Sequence, residues 1–114
     1  MTEDLKSAAV PKWETCRIEV REERRVPVSL FSPAERIFYR IFAIVDSPQG
    51  QKVIAWSGVW SQVTDGPEAQ LQQERENGIQ ERTRLVERLC AQGWEPEPDR
   101  AGEINVLRRL TTSE

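Results

Sequence analysis

The chain contains no histidine. That rules out Ser-His and Cys-His nucleophile pairs, imidazole metal ligands and the usual general base at neutral pH. Carboxylate, Lys and Tyr chemistry stays open, so the reading leans against an enzyme without closing the question. Ser57-Gly58 and Ser61 have no base to activate them. Cys16 and Cys90 are too few for a structural zinc site; they read as unbonded, mostly buried, small hydrophobes. Glu95, Glu97 and Asp99 cluster near a turn, but a cation site needs more oxygens in a defined geometry. Asp99-Arg100-Ala101-Gly102 lacks phosphate-loop spacing. Arg108 and Arg109 alternate faces of a strand, so at most one serves any given surface. No catalytic residue, metal ligand or cofactor is expected.

One constellation remains: Phe38, Arg40, Phe42, Trp56 and Trp60. Two β-rich runs, residues 36–46 and 51–61, flank Ser47-Pro48-Gln49-Gly50. Pro second and Gly fourth suit a type I turn followed by a G1 bulge. That turn predicts Ser47 opposite Gln51. Val45 then faces Val53, Ala43 faces Ala55, and Tyr39 faces Val59. On the other side Ile44 faces Ile54, Phe42 faces Trp56, Arg40 faces Gly58, and Phe38 faces Trp60. One face is small and aliphatic, the other large and aromatic with Arg40 in its middle. A one-residue slip would mix the two sets. The aromatic face is either core beneath the helix or a surface in need of a cover. Both faces are apolar and one helix covers one face, so the cover would be the loop at residues 26–31, a second subunit or a ligand.

These residues need elements to carry them. Cys16, Ile18 and Val20 alternate with Arg17, Glu19 and Arg21, which predicts a strand with one wet face. Residues 22–25 extend it as a charged run. Pro27 and Pro33 break the apolar segment between them, which reads as a covering loop or edge. Asp65-Gly66-Pro67-Glu68 predicts a helix start with Asp65 as N-cap. The helix runs to about Ala91, with a stripe of Leu71, Gly78, Ile79, Val86, Leu89 and Cys90. Asn77-Gly78 is a point where it would kink or split. Glu81–Arg84 and Arg84–Glu87 lace the solvated side. Gly93 fits the left-handed position after the C-cap. Trp94 to Glu97 is a short extended segment, residues 99–102 a turn, and residues 104–110 the last strand.

Leu85-Val86-Glu87-Arg88-Leu89-Cys90-Ala91-Gln92-Gly93-Trp94-Glu95, with Val106-Leu107-Arg108-Arg109 after the turn and Trp13-Glu14 before the first strand, resembles a group of small bacterial domains of unknown function. They share a helix ending in Gly-Trp-Glu and a last strand ending in two basic residues. The likeness covers about half of the chain and leaves the hairpin at residues 36–61 as an addition or a much longer form. It implies a bacterial origin and a fold, and carries no activity with it. The motif has a physical cause: Gly ends the helix and Trp plugs the junction between helix and sheet.

At 114 residues, 38% hydrophobic and 31% charged, the chain is expected to be one globular domain. Residues 1–11 read as a mobile tail, 12–110 as the domain and 111–114 as a frayed end. No apolar run approaches the ~18 residues that span a bilayer, and the first residues carry no leader pattern, which makes the cytoplasm the expected compartment. A net charge of −3 argues against nucleic acid as the main partner. The fold class expected is α+β: an antiparallel sheet of four to five strands with one main helix on one face, in the order β-β-β-α-β-β. The function expected is a non-enzymatic binding or assembly module, a homodimer self-associating through a sheet face or edge near Phe38, Phe42, Trp56 and Trp60. The alternative is a small-molecule-binding domain with an aromatic pocket in which Arg40 grips an anionic group.

Overall fold

The computed structural model describes residues 11–98 and 102–112. Residues 1–10 of the tail expected at 1–11, and most of the turn at residues 99–102, lie outside them; Pro11 already belongs to the first strand. The alternation around Ile18 does form a strand, and it runs much further than the alternation: β1 spans Pro11–Pro27. β2 is Glu35–Ser47, β3 Gly50–Trp56, β4 Trp60–Val63, the helix α1 Glu68–Ala91, β5 Glu95–Pro98 and β6 Ile104–Thr112. All pairings are antiparallel, in the order β3-β2-β1-β6-β5, with β4 also on β2. The α+β class with one main helix holds. Among the described residues the sheet has six strands rather than four or five, because the second arm of the hairpin breaks in two.

The break has a single cause. Ser57 takes the place of a ladder residue opposite Ile41. Its N–H donates to the Ile41 carbonyl at 2.8 Å, and its Oγ accepts the Ile41 N–H at 2.9 Å. The hydroxyl then donates to the Gly58 carbonyl at 2.7 Å. With Ile41 satisfied by one residue, the chain steps out at Gly58 and re-enters as β4. The pairings nearest the middle of the hairpin, Phe42 with Trp56 and Ala43 with Ala55, are as expected. Those on either side are not. The turn is tighter, with Ser47 opposite Gly50 and Gly50 at φ +125°. The irregularity falls at Ile54, so Ile44 faces Val53 and Val45 faces Lys52. Beyond the break Tyr39 faces Trp60 and Phe38 faces Ser61. Trp60 therefore leaves the aromatic set.

Strand alternation puts Tyr39, Ile41, Ala43 and Val45 of β2 on one face. That face is the core. Cys16, Ile18, Ile41, Ala43 and Leu107 meet Leu85 and Leu89 of α1, with Trp94 at the end. Trp60 stacks on Tyr39 at 5.6 Å and lies against Gly78 of the helix. α1 is continuous through Asn77-Gly78; the glycine is where the Trp60 ring lies against the helix backbone. The buried stripe is Glu74, Gly78, Leu85 and Leu89. Ile79 and Cys90, expected in it, are exposed, because the stripe is rotated to bury Leu85 and the Glu74 carboxylate instead. The N-cap is Pro67, with no side-chain cap bond, so Asp65 does not serve. The C-terminus does follow its glycine: Gly93 has φ +97°, its N–H reaches the Cys90 carbonyl at 3.0 Å, and the Trp94 N–H reaches that of Leu89 at 3.1 Å. This paired closure is the Schellman pattern. It turns Trp94 inward, and Arg109 lies 4.5 Å over its ring.

Two outcomes follow for the core. A Cβ on Gly78 would lie 2.6 Å from Trp60 Nε1 and 2.8 Å from Cε2. Alanine gains about 1 kcal/mol of helix propensity over glycine, but overpacking costs about 1–3 kcal/mol. Gly78→Ala should lower the denaturation midpoint, and Trp60→Leu in the same chain should recover part of the loss. For the thiols, Cys16 is buried and Cys90 exposed, both unbonded. Burial pushes the Cys16 thiol up to about 11. One thiol per chain should label in the native protein at neutral pH and two after unfolding, with Cys90→Ser removing the native reaction.

Candidate functional site

Of the five residues singled out, Phe38, Arg40 and Phe42 share the face of β2 turned away from α1, by the same alternation that buries Ile41. That face is covered by the chain itself. Arg21 of β1 lies over the Phe42 ring at 5.1 Å and Arg24 over Phe38 at 4.3 Å. Their stems supply apolar cover and their heads stay in water. An ion-pair row steadies Arg21: Asp46 holds Arg17 at 3.1 Å, Arg17 pairs with Glu19, and Glu19 with Arg21. The loop at residues 26–31 does not cover the face. β1 continues to Pro27, and the tip beyond it leaves Leu30 93% and Phe31 97% exposed.

Arg40 and Trp56 do come together, in a way the strand pattern did not suggest. The step at Ser57-Gly58 opens a groove of about 740 Å³ at the sheet edge, lined by Arg40, Trp56, Glu81, Arg84 and Arg88 among others. Trp56 is 53% exposed there, and its carbonyl accepts from Arg88 Nη2 at 2.6 Å. Glu81 accepts the Gly58 N–H at 2.9 Å and pairs with Arg84 at 3.0 Å. Arg40 Nε is buried without a hydrogen-bond partner; the Glu23 carboxylate stands 3.4 Å away. Three guanidinium groups around an indole edge can hold a carboxylate or phosphate, although Glu81 and Glu87 in the same groove offset much of that charge.

The backbone offers a second site. β2 accompanies β1 from Cys16 to Pro27, whereas β6 pairs with it only from Pro11 to Arg17. Along residues 18–27 the edge of β1 away from β2 has no strand partner among the described residues. Two cavities flank it beneath the helix, sharing Ile79 and Arg82. The smaller, about 280 Å³, is lined by Val20, Ile41, Trp60 and Gly78. The larger, about 450 Å³, is lined by Ile79, Val86 and Ile104 where β6 begins. Arg82 fixes that end, donating to the Ile104 carbonyl at 2.9 Å. Sequence reasoning missed this edge because the charged run at residues 22–25 looked like an extension rather than paired strand.

Among the described residues no cluster of His, Cys, Asp or Glu is placed to hold a metal ion, and no helix is long and apolar enough to cross a membrane. The buried carboxylate, Glu74, has a structural task. It accepts the Val63 N–H at 2.8 Å, Gln70 Nε2 at 3.2 Å and Arg36 Nη1 at 3.0 Å, fastening α1 to β4. Burial raises its pKa, but these donors outweigh burial and hold it below the ordinary carboxylate value. Its folded-state pKa is depressed, so its stabilisation is present above the unfolded value of about 4.3 and is lost as pH falls through the folded one. Glu74→Gln should flatten that acid limb in a stability–pH profile. Glu74→Ala should cost about 1–3 kcal/mol at neutral pH by stranding the Val63 N–H.

No protein-family model matches the chain, and no curated protein or solved structure does either.

Proposed function

We propose that this chain is a non-enzymatic assembly module that self-associates through a sheet edge, the segment of β1 at residues 18–27. The observation that carries the reading is the mismatch in strand length: β1 has 17 residues and β6 only 9, so among the described residues a long run of backbone donors and acceptors lacks a strand on one side. A second copy of the strand is a natural partner for such an edge. The sheet face gives self-association no support, since Arg21 and Arg24 already cap Phe42 and Phe38.

The alternative, a small-molecule module, is favoured by Arg40, whose buried Nε makes no hydrogen bond among the described residues and has the Glu23 carboxylate 3.4 Å away as its ion-pair partner, beside the exposed Trp56 ring. In that reading the groove takes a small aromatic or aliphatic carboxylate or phosphate, with Arg40 as its ion-pair partner.

Sedimentation equilibrium separates the two, combined with amide hydrogen exchange at several protein concentrations. Edge pairing predicts a dimer at high micromolar concentration and extra protection of alternate amides within residues 18–26 that disappears on dilution. A monomer at that concentration, or a dimer in which those amides exchange equally fast at all concentrations, rejects edge pairing. A monomer that binds an anionic aromatic compound, and loses it in Arg40→Gln, supports the alternative.

A further inference from the structure

The two ends of the free β1 edge carry complementary apolar features. At one end is the hairpin tip. It is held by the Val28 N–H to the Ala34 carbonyl at 3.1 Å, the Phe31 N–H to Ser29 Oγ at 3.2 Å and the Ala34 N–H to Ser32 Oγ at 3.1 Å. A tip fixed in this way displays Leu30 and Phe31 almost wholly to water. At the other end, where β6 stops pairing at Val106 opposite Arg17, is the cavity of about 450 Å³ lined by Ile79, Val86 and Ile104. Ile79 on its rim is 63% exposed. Tip and cavity lie at opposite ends of the same edge, so one chain cannot bring its own tip to its own cavity through that edge.

We infer that the Leu30–Phe31 tip of one copy seats in the Ile79–Val86–Ile104 cavity of a second copy. The inference rests on the edge pairing proposed above. When two such edges pair antiparallel over residues 18–27, Pro27 of each strand comes opposite Ile18 of the other. The tip that follows Pro27 then meets the start of the other copy's β6, which is a wall of the cavity. A twofold axis makes the contact twice, as an isologous interface requires. Each seat removes from water two large side chains that otherwise remain exposed, and buried aromatic anchors dominate interface energetics. The tip can also be pictured in a lipid surface or in an unrelated protein. The cavity at the far end of the same edge, where β6 stops pairing, favours the second copy.

The test uses the full chain with Cys90→Ser, so that the buried Cys16 is the only native thiol. Phe31→Cys and Ile79→Cys are made separately in this background, both at exposed positions. The expected result is an intermolecular disulfide when the two are mixed under mild oxidation, and much less when either is alone. Leu30→Ser with Phe31→Ser should raise the dimer dissociation constant by roughly 30-fold or more without lowering the melting temperature of the monomer. A double-serine protein that dimerises as tightly as the wild type, with its concentration-dependent protection at residues 18–26 intact, overturns the tip contact and leaves edge pairing standing. A wild type that stays monomeric at high micromolar concentration overturns both. Binding of the wild-type monomer to anionic phosphatidylserine vesicles, lost in the double-serine variant, assigns the tip to lipid and likewise overturns the inference.

Discussion

Trp60 lies against the bare backbone of Gly78, and the position of the helix over the sheet depends on that contact. An indole on the first residue of β4 needs a place where the helix presents no side chain, and Gly78 is that place: even a Cβ would stand within 2.6 Å of the ring. Anchored there, α1 runs one way to bring Leu85 and Leu89 over Ile18 and Ala43, and the other way to bring Glu74 within reach of the Val63 N–H. A glycine in a helix interior costs about 1 kcal/mol in propensity. The close approach offsets that cost through the burial on both sides of it.

Trp60 reaches this position only because the strand before it is interrupted. An uninterrupted second arm would continue the alternation from Trp56 and place Trp60 on the same face as Phe42. Ser57 satisfies both backbone groups of Ile41, which permits the step at Gly58, and the step moves Trp60 to the helix side. The face left behind holds Phe38, Arg40, Phe42 and Ile44. It is closed by side chains from β1 whose charges pair along the strand. An apolar face of a hairpin therefore needs neither a helix nor a partner if the neighbouring strand carries arginines at the right spacing.

This explains where the sequence could be read and where it could not. Features fixed by a few adjacent residues are legible: the extended pattern around Ile18, the hairpin at Pro48, and the helix end at Gly93 with Trp94 turned inward. Phe42 does pair with Trp56, but only because the extra residue at Ile54 offsets the tighter turn. Features that depend on partners distant in sequence are not legible. Ser57 is an ordinary polar residue until the Ile41 backbone stands opposite it. The length of β1 was hidden because Glu22 to Arg25 have no apolar alternation, yet β2 pairs with them, through an irregularity between Glu22 and Arg24. Arg21 and Arg24 gave no sign in the sequence that they would roof Phe42 and Phe38. Of the candidate site, Arg40 and Trp56 were found for the wrong reason: the break beside them, and not a continuous aromatic face, brings them to one groove.

The edges of the sheet differ in how they meet water. β5 is short and carries Pro96 and Pro98, which have no N–H to offer a further strand. On the opposite side the outer strand is cut at residues 57–59. The open stretch of β1 has neither protection along its whole length, but it is dense in Glu and Arg and departs from regular geometry at Glu23. Charge and a bulge discourage indiscriminate strand addition. In the register that sets Pro27 opposite Ile18, Arg21 meets Arg24 and Glu22 meets Glu23, so backbone hydrogen bonds and apolar contact have to outweigh like-charge repulsion at the middle of the edge. The same edge is flanked by Val20 and Ile79, both substantially exposed. An added strand would gain apolar contact along the helix side as well as backbone hydrogen bonds.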